Sequence, residues 1–567
     1  MSDDVVAEVV AVYPNKVKVK VDDLTSFADG NPLRIGSFLE ISDNENAKLL
    51  AVVENFSIEV SDTGERKYIL EANPLGSLKG DEFIRGGDEL AIPPKGVKPA
   101  VTEDVKKIYD SCLNTDQQFV FSKLARCSDV AVPVDGDKFF NKHIAVVGST
   151  GSGKSHTVSK IIQNAIAAKS GAYAGLNNSH VVIFDIHSEY KSAFPDANYI
   201  GIDVLTLPYW LLNSEELEEL FLDTEANDHN QRNVFKEAIV FNKKKHALGE
   251  LAGKCHYDSP VYFSIQEVLE YISYRNRERK GKDGKIRWKK GDDEPVVFSE
   301  ETAASLFEKG LEPEGSSNGP SNGNYGNFIN RLENKLSDSR LNFLLSVAAS
   351  KVSFEDTMLK LLGFVKEDEQ NVTVIDLSGV PFEVLSITVS LISRMLFEFG
   401  YFLKKESGDT GAHKTPLLLV YEEAHKYVPK SDLSKYRSSK TSIERIAKEG
   451  RKYGVTLLIA SQRPSEISET IFSQCNNFIA MRLTNPEDQG YVKRLLPDAL
   501  GNLTDTLPSL KAGEALLLGD SVIMPSLVSI DRCDLEPSSS DVPYFEIWKD
   551  AWKDVNFESV ITAWKEK

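Results

Sequence analysis

The spacing of apolar residues changes near residue 139 and divides the chain into two kinds of structure. In residues 1–98, short segments alternate apolar and polar positions, as at Val17, Val19 and Val21, and turn residues such as Pro-Asn and Thr-Gly separate them. Alternation with a period of two predicts half-buried strands. Several short strands in succession predict a small β-barrel, and the proline-rich "IPPKGVKPA" at 92–100 predicts a linker after it.

After residue 139 the apolar residues form short continuous runs. Continuous runs are typical of strands that helices cover on both faces, as in a parallel α/β sheet. The runs are "HIAVVG", "HVVIFDI", "VTVIDLSGV", "PLLLVYEEAH", "VTLLIASQ" and "FIAMRL". The sequence therefore predicts an α/β core behind the barrel.

A charged, helix-like segment interrupts this core. Residues 208–350 include "SEELEELF" and the low-complexity "EPEGSSNGPSNGNYGN", which indicates an exposed, mobile loop. The predicted division is a barrel at 1–98, core at 99–207, a helical insertion at 208–350, core again at 351–535 and a helical tail at 536–567. In the tail, Trp548 and Trp552 are four apart, as on one face of a helix. Such a helix is typically docked on its own or the next subunit.

Composition narrows the function classes. The net charge is −19, whereas proteins that coat nucleic acid nonspecifically are usually basic, so any nucleic-acid contact must use a local basic surface. No apolar run reaches the roughly 20 residues that cross a bilayer. The N-terminus lacks the basic region of a secretory signal, and the five cysteines have no CxxC spacing. We expect a cytoplasmic protein with reduced thiols.

A complete phosphate-binding motif lies between the first apolar run and a helix-like run. "GSTGSGKS" fits GxxxxGK[ST] and consists of Gly148, Ser149, Thr150, Gly151, Ser152, Gly153, Lys154 and Ser155, with His156 after it. Its backbone N–H groups can wrap phosphates, Lys154 can reach the terminal phosphates, and the Ser155 hydroxyl can meet Mg²⁺. The motif predicts ATP and Mg²⁺ as ligands. The alternative is a glycine turn in another α/β protein.

An acid pair ends a later apolar run. In "PLLLVYEEAH", Glu422 is predicted to hold the water shell of Mg²⁺ and Glu423 to polarise the attacking water. A Glu-Glu pair at a strand end is often only solvated, but together with a complete phosphate loop it indicates hydrolysis.

Two further strand ends carry polar residues. Asp185, His187 and Glu189 end "VVIFDIHSEY", and Ser461 and Gln462 end "VTLLIASQ". We predict that Gln462 contacts the γ-phosphate and senses its loss.

Together these segments resemble the HerA family of hexameric DNA translocases, within the HerA–FtsK group of RecA-like motors. The resemblance includes the barrel leader, the phosphate loop, "DIHSEY", "EEAHKYVP", "EGRKYGV" with "SQRP", and "LPSLKAGEALLLGDSVIMPSLVSI". It implies a RecA-like core, a homo-hexamer, ATP between neighbouring subunits and double-stranded DNA in the central pore.

The same resemblance assigns cationic residues to the neighbouring subunit's site. Arg451 looks like the arginine finger, although a helix-surface salt bridge is the alternative. Lys142 is a second candidate contact to a neighbouring nucleotide. The family often has arginine where this chain has Lys448, so a cationic role there is open.

Two basic stretches are candidates for DNA contact. The serine-rich loop after the acid pair carries Lys426, Lys430, Lys435, Arg437 and Lys440. We predict that Lys430, Lys435, Arg437 and Lys440 line the pore and follow the phosphate backbone, the alternative being a solvated outer loop. The stretch 274–290 has a hairpin-like Asp-Gly turn and is more typical of an outer or partner-contacting surface.

The family's usual partner platform is the barrel. Its archaeal members act with a nuclease at DNA ends, and bacterial relatives pair with nucleases or sirtuin-type NAD hydrolases in defence against phages. We therefore expect an ATP-driven DNA translocase or helicase with an effector protein on its barrel. The alternative is a hexameric ATPase scaffold that activates its partner with little DNA movement. A secretion or conjugation pump is disfavoured because the sequence shows no membrane segment.

Overall fold

The computed structural model describes most of the chain. The described residues are 7–13, 16–27, 33–44, 47–60, 66–80, 82–85, 96–110, 113–222, 229–365, 368–407, 415–431, 437–495, 504–539 and 542–566. Lys435, Cys112 and the whole of the predicted strand "GDELAIPP" lie outside these ranges.

The N-terminal region is an antiparallel sheet that closes on itself. A bridge between Glu8 and Gly96 joins the first strand to the residue before the last one. Alternate residues such as Val17, Val19 and Val21 point into a separate small core, as the pattern predicts. The strands are Ala7–Val12, Val17–Val21, Phe38–Asn44, Ala47–Val60, Arg66–Lys79, Glu82–Arg85 and Val97–Pro99, with one short helix, Leu24–Phe27. The end of the predicted linker is thus the last barrel strand.

The core is one sheet of 11 strands, of which seven are parallel and four antiparallel. The parallel strands, in spatial order, are Asn198–Ile200, Val372–Asp376, His180–Asp185, Leu417–Tyr421, Val455–Ser461, His143–Val147 and Cys475–Met481. The antiparallel strands that continue the sheet are Glu514–Gly519, Ser526–Ile530, Gln118–Leu124 and Cys127–Asp135. The predicted parallel α/β core is confirmed.

The central strands are apolar throughout because each faces two hydrophobic cores. In the strand His143–Val147, Ile144 and Val146 pack in one core, whereas Ala145 and Val147 pack in the other. Helices cover both faces, which explains the continuous apolar runs. The main helices of the core are Thr102–Asp110, Gly136–Phe140, Lys154–Ala167, Phe382–Glu406, Arg437–Glu449, Glu469–Gln474 and Pro486–Leu495.

The insertion is mostly helical. Its helices and those that lead back to the core are Ser214–Phe221, His229–His246, Leu251–Lys254, Ile265–Arg277, Gly326–Ser337, Asn342–Leu345, Val347–Lys351 and Phe354–Leu361. It also contains a four-stranded sheet of Arg279–Lys280, Ile286–Lys290, Leu311–Glu314 and Ser317–Asn318. Three further short strands are Val296–Val297, Phe364–Val365 and Asp368–Glu369, of which the last two pair with each other.

This small sheet bears on two expectations for the insertion, of which one is confirmed and one is not. The hairpin at the Asp283-Gly284 turn is confirmed, with Arg279 opposite Arg287. The Gly/Ser/Asn-rich stretch expected to be an exposed mobile loop instead supplies two of the strands. A buried carboxylate, that of Glu278, holds it in place, because this group accepts a hydrogen bond of 2.6 Å from the Ser321 N–H.

The tail departs from the predicted helix. Its helices are Tyr544–Ile547 and Phe557–Glu566, so Trp548 and Trp552 do not share one. Trp552 is 96% exposed, and Trp548 and Trp564 are also exposed, so the tail from residue 542 onward does not pack on its own subunit. A short amphipathic helix with no apolar surface beneath it is only marginally stable in water. Among the described residues, no helix combines the length and apolarity that crossing a bilayer requires.

Candidate functional site

A cavity of about 580 Å³ opens at the carboxyl ends of the parallel strands. Its walls come from four strand ends that the sequence singled out and from two later segments. The lining residues are Thr150, Gly151, Gly153, Lys154, Ser155, His156, His187, Glu189, Glu422, Glu423, Gln462, Ala512 and Ser539. The structure therefore brings the phosphate loop, the acid pair and Gln462 together, as predicted.

The phosphate loop has the backbone that its glycines permit. Gly151 and Gly153 have φ values of 70° and 103°, in the left-handed region that favours glycine. A Cβ on Gly148 would lie 2.5 Å from the Ser152 hydroxyl and 2.8 Å from the Met481 Cβ. The helix Lys154–Ala167 then begins at the loop, so its unpaired N–H groups and positive dipole end face the cavity.

Lys154 is largely buried and faces carboxylates. Burial lowers the pKa of Lys154, while the nearby charges of Glu423, Glu422 and Glu189 oppose that shift. Burial raises the pKa of Glu422 to about 8, and the charge of Glu189 adds to this effect. The cavity thus holds one ammonium among three carboxylates, an arrangement suited to a cation that accompanies a triphosphate.

The two acids of the pair are held differently. Glu422 is 2% exposed, and its Oε2 atom has no hydrogen-bond partner in the described part of the chain. Glu423 has a φ of 47°, a strained backbone for a residue with a side chain. Its Oε2 atom lies 3.2 Å from Nδ1 of His425, which also lies 3.3 Å from the Ser461 hydroxyl.

Gln462 touches the phosphate loop directly. The Thr150 hydroxyl donates a hydrogen bond of 2.6 Å to Oε1 of Gln462. The strand that ends at Ser461 lies between the phosphate-loop strand and the strand of the acid pair. Because carboxyl ends of parallel strands share one edge, Gln462 lies between the loop and the acids.

The donor atoms in the cavity fit Mg²⁺ bound together with a nucleotide. Mg²⁺ prefers oxygen ligands and commonly uses one or two carboxylates, waters and substrate phosphates. Ser155, Glu189 and Glu422 offer oxygens, and the orphaned Glu422 Oε2 atom is available. Within the described ranges, no three His, Cys, Asp or Glu side chains are close enough to hold a metal alone. Phosphate oxygens and waters would complete its ligand shell.

The predicted trans residues lie at the opposite edge of the sheet. Lys142 directly precedes the strand His143–Val147, and Arg451 directly precedes the turn into Val455–Ser461. Lys142 pairs with Asp520, and Nε of Arg451 donates to the Asn141 carbonyl at 3.2 Å. The hydrogen bond from Lys142 lowers the pKa of Asp520 most, and the charge of Arg451 adds to the lowering, so both cations lie near this one carboxylate.

The candidate DNA contacts are only partly described. Lys430 is exposed and pairs with Glu469 at 2.8 Å, and Nζ of Lys440 donates to the Lys430 carbonyl at 3.3 Å. Arg437 is exposed at the start of the helix Arg437–Glu449. Lys448 pairs with Glu444 at 3.5 Å, which is a structural rather than a nucleotide contact in the single chain. The contact of Lys430, Lys435, Arg437 and Lys440 with DNA stays a prediction.

Sequence reasoning missed three contributors to the site. His425 contacts Glu423, Asp520 pairs with Lys142, and the segment that ends at Ser539 forms part of the cavity wall. His425 stands two residues from Glu423 and carried a signal that the sequence reasoning passed over. The other two contacts join residues hundreds of positions apart and have no local signal.

The chain resembles known helicases over nearly its whole length. Residues 119–396 match the family model described as "Helicase HerA, central domain". A probable helicase of Methanocaldococcus jannaschii is 24% identical over 555 residues, or 94% of this chain and 93% of its own. A probable DNA double-strand break repair helicase HerA of the same organism is 24% identical over 548 residues, or 92% and 96%. The solved structure of VirB4 from Thermoanaerobacter pseudethanolicus aligns with a TM-score of 0.46 and 14% identity, over 76% of this chain and 99% of that chain.

Proposed function

The chain belongs to the HerA family of helicases, and from that premise we propose that it is an ATP-driven motor. In this proposal six copies form a ring, ATP binds between neighbours, and double-stranded DNA moves through the centre. The cofactors are ATP and Mg²⁺. The ion supplies charge stabilisation to the phosphates when bound, and the chain's own residues orient the nucleotide and the attacking water.

One observation carries the proposal: the cationic pair and the phosphate cradle lie at opposite edges of the same sheet. The five-residue strand His143–Val147 separates Lys142 from Gly148, a span of about 20 Å at the usual rise per residue. Arg451 therefore cannot reach the phosphates bound by its own chain. Its position fits a neighbour's site, where an arginine stabilises the charge of the transferring phosphoryl group.

Within one chain the remaining roles follow from position. The phosphate-loop amides and Lys154 hold the triphosphate, and the Ser155 hydroxyl faces the metal. Glu423 accepts a proton from the attacking water, and the His425 imidazole lies 3.2 Å from its carboxylate. Gln462, bonded to Thr150, shifts when the γ-phosphate leaves.

The proposal includes a partner. The barrel has its own core, and Ile58 and Val60 are exposed on the strand Ala47–Val60. We propose the barrel as the platform for an effector protein, a nuclease or a sirtuin-type NAD hydrolase, in DNA-end processing or anti-phage defence. These same features support the second candidate, an ATPase scaffold that activates its partner with little DNA movement.

DNA-stimulated ATP hydrolysis separates the motor from the scaffold. The measurement is the hydrolysis rate with and without double-stranded DNA, for wild type and for a variant with Lys430, Lys435, Arg437 and Lys440 changed to alanine. A motor loses its DNA-dependent rate increase in this variant. The matched control changes four exposed lysines outside both basic stretches, Lys106, Lys254, Lys309 and Lys351, to alanine, and it keeps the increase. Hydrolysis indifferent to DNA but altered by the effector supports the scaffold.

A further inference from the structure

We infer that Glu189 is a positioning residue for the magnesium ion: it fixes the Ser155 hydroxyl so that the oxygen lone pairs face the metal. The inference deepens the proposed function and rests on it, because Ser155 is the metal-binding hydroxyl of the phosphate loop. The sequence places Glu189 at a strand end without a role and assigns the metal to Ser155 and Glu422.

The contact itself is direct. The Ser155 hydroxyl donates a hydrogen bond of 2.7 Å to Oε2 of Glu189. A hydroxyl has one proton and two lone pairs, so donating the proton in one direction leaves the lone pairs for a cation. Groups that orient metal ligands in this way tune metal affinity strongly. In the described part of the chain, the Ser155 side chain makes this bond and none to Glu422.

The turn that presents Glu189 is held from several sides. The Asp185 carboxylate accepts hydrogen bonds from the N–H groups of His187 and Tyr190, at 3.1 and 3.0 Å. The Ser188 hydroxyl donates to Asp376. From the C-terminal segment, the N–H of Ser538 donates to the Glu189 carbonyl at 2.8 Å. Glu189 therefore sits on a turn fixed by the core sheet and by a distant segment.

Backbone strain marks the same turn. Ser188 has a φ of 57°, and Ser188 and Glu423 are the two non-glycine residues with left-handed backbone among those described. Such a conformation is unfavourable for a residue with a side chain and persists where the surroundings impose it. Glu423 and Glu189, the residue after Ser188, both line this cavity, and the charges of their carboxylates act on Lys154.

A second, independent feature of this acidic wall is an unpartnered carboxylate oxygen. The Oε2 atom of Glu422 is buried in the same cavity without a hydrogen-bond partner in the described part of the chain, and the residue is 2% exposed. Buried carboxylate oxygens are normally hydrogen-bonded, paired or bound to metal. Glu422 thus offers an oxygen to the ion or its waters, while Glu189 orients the hydroxyl that binds it.

The experiment measures how Mg²⁺ tightens nucleotide binding, without turnover. A fluorescent, non-hydrolysable ATP analogue is titrated onto the full-length protein in EDTA and over a series of Mg²⁺ concentrations. For Glu189→Ala we expect the affinity in EDTA to stay within about twofold, while half-maximal tightening needs about 10- to 100-fold more Mg²⁺. Glu189→Gln keeps an acceptor for Ser155 but loses the charge, so a smaller shift is expected.

Two controls separate this inference from the function on which it rests. Glu536→Gln removes an exposed carboxylate from the neighbouring C-terminal segment and should leave the Mg²⁺ dependence unchanged. Lys154→Ala should abolish analogue binding. If Lys154→Ala binds as wild type does, the proposed function fails.

If Lys154→Ala fails to bind but both Glu189 variants keep the wild-type Mg²⁺ dependence, only the role of Glu189 is overturned. A loss of affinity that is equal with and without Mg²⁺ would also overturn it, since that pattern indicates a general structural role.

Discussion

Glu423 illustrates how single residues of the cavity are held for reaction. Its backbone is left-handed, its side chain is 6% exposed, and His425 lies 3.2 Å from its carboxylate. Burial lowers the pKa of His425, although the charge of Glu423 opposes that shift. The acid therefore has a constrained backbone and an imidazole beside its carboxylate, which supports the proposed role of general base for one water.

Replacing this acid should separate binding from turnover. We expect Glu423→Gln to bind the ATP analogue with Mg²⁺ as wild type does, and to lower the hydrolysis rate by about 10²-fold or more, the usual contribution of a general base. Glu487→Gln, which removes an exposed carboxylate from the first turn of the helix Pro486–Leu495, serves as the control. Unchanged turnover in Glu423→Gln would refute the assignment of the base.

How well residues of the site could be predicted depends on how local their signal is. The phosphate loop is contiguous, so its glycines, Lys154 and Ser155 follow from sequence alone. The bond from Ser155 to Glu189 joins residues 34 apart and needs the sheet order to be recognised. Asp520 meets Lys142 across 378 positions, and no local pattern announces that pair.

At the scale of elements, His143 links three parts of the motor. Its Nδ1 atom accepts a hydrogen bond of 3.0 Å from the N–H of Leu457, and its Nε2 atom lies 2.9 Å from the Ala447 carbonyl. The phosphate-loop strand is thus joined to the strand Val455–Ser461, which leads to Gln462, and to the helix Arg437–Glu449, which precedes Arg451. The ring must be neutral to accept at Nδ1.

This buried histidine predicts a loss of stability in acid. Burial lowers the pKa of His143 from its ordinary 6.5 to about 4. The unfolded chain then binds a proton that the folded chain refuses, so this contribution is complete above pH 6.5 and disappears as the pH falls toward 4. The shift corresponds to about 3 kcal/mol.

Urea unfolding at pH 7.5 and pH 5 tests the effect of His143. Other groups titrate in the same range, so the informative quantity is the difference between wild type and His143→Gln. We expect the variant to be less stable at pH 7.5 but to lose less stability on acidification. An equal loss in both proteins would contradict the assignment.

A buried ion pair fastens the insertion to the core. Nη2 of Arg394 donates to Glu216 at 2.7 Å, and the Ser390 hydroxyl donates to the same carboxylate at 2.7 Å. Glu216 is fully buried on the helix Ser214–Phe221, whereas Arg394 lies on Phe382–Glu406. Removing one partner leaves the other charge buried and alone.

We therefore expect Glu216→Ala to lower the free energy of unfolding by about 3–5 kcal/mol. The double variant Glu216→Ala, Arg394→Met should recover part of that loss, because it removes the orphaned charge as well. Glu308→Ala breaks an exposed pair with Lys290 and is the control, with no measurable change expected. Urea unfolding checks all three, and a neutral Glu216→Ala would show that the pair does not anchor the insertion.

Secondary-structure elements could be predicted where the surfaces that cover them determine the spacing of their apolar residues. The continuous runs of the core gave the parallel strands because both faces of that sheet are covered. The composition of the Gly/Ser/Asn-rich stretch predicted a mobile loop. Its strands are instead held by Glu278, which lies outside the stretch and some 40 positions earlier. The tail looked like one helix, yet the spacing of Trp548 and Trp552 cannot show whether a surface lies beneath them.

At the scale of the whole molecule, the two edges of the sheet carry different groups of the proposed site. The carboxyl edge carries the phosphate loop, the acid pair and Gln462, whereas the amino edge carries Lys142 and Arg451. A ring in which every subunit offers its amino edge to the next carboxyl edge is a head-to-tail arrangement that closes by rotation. Each proposed site then needs two chains.

Mixing two inactive variants tests this division. Arg451→Ala lacks the finger but has an intact carboxyl edge, while Glu423→Gln lacks the base but keeps its Arg451. Each variant alone should lose most of its turnover. When the two are dissociated and reassembled one to one, a site that pairs the acid of the first with the arginine of the second is complete. With random mixing, about a quarter of all interfaces in a head-to-tail ring are of this complete kind.

We expect the mixture to regain up to about that share of the wild-type ATP hydrolysis rate, because each complete interface has every group it needs. The control is a mixture of Glu423→Gln with Lys154→Ala. Both changes lie at the carboxyl edge, so every interface lacks one of them and no rate should return. Recovery in this control, or none with Arg451→Ala, would mean that Arg451 does not serve a neighbour's nucleotide.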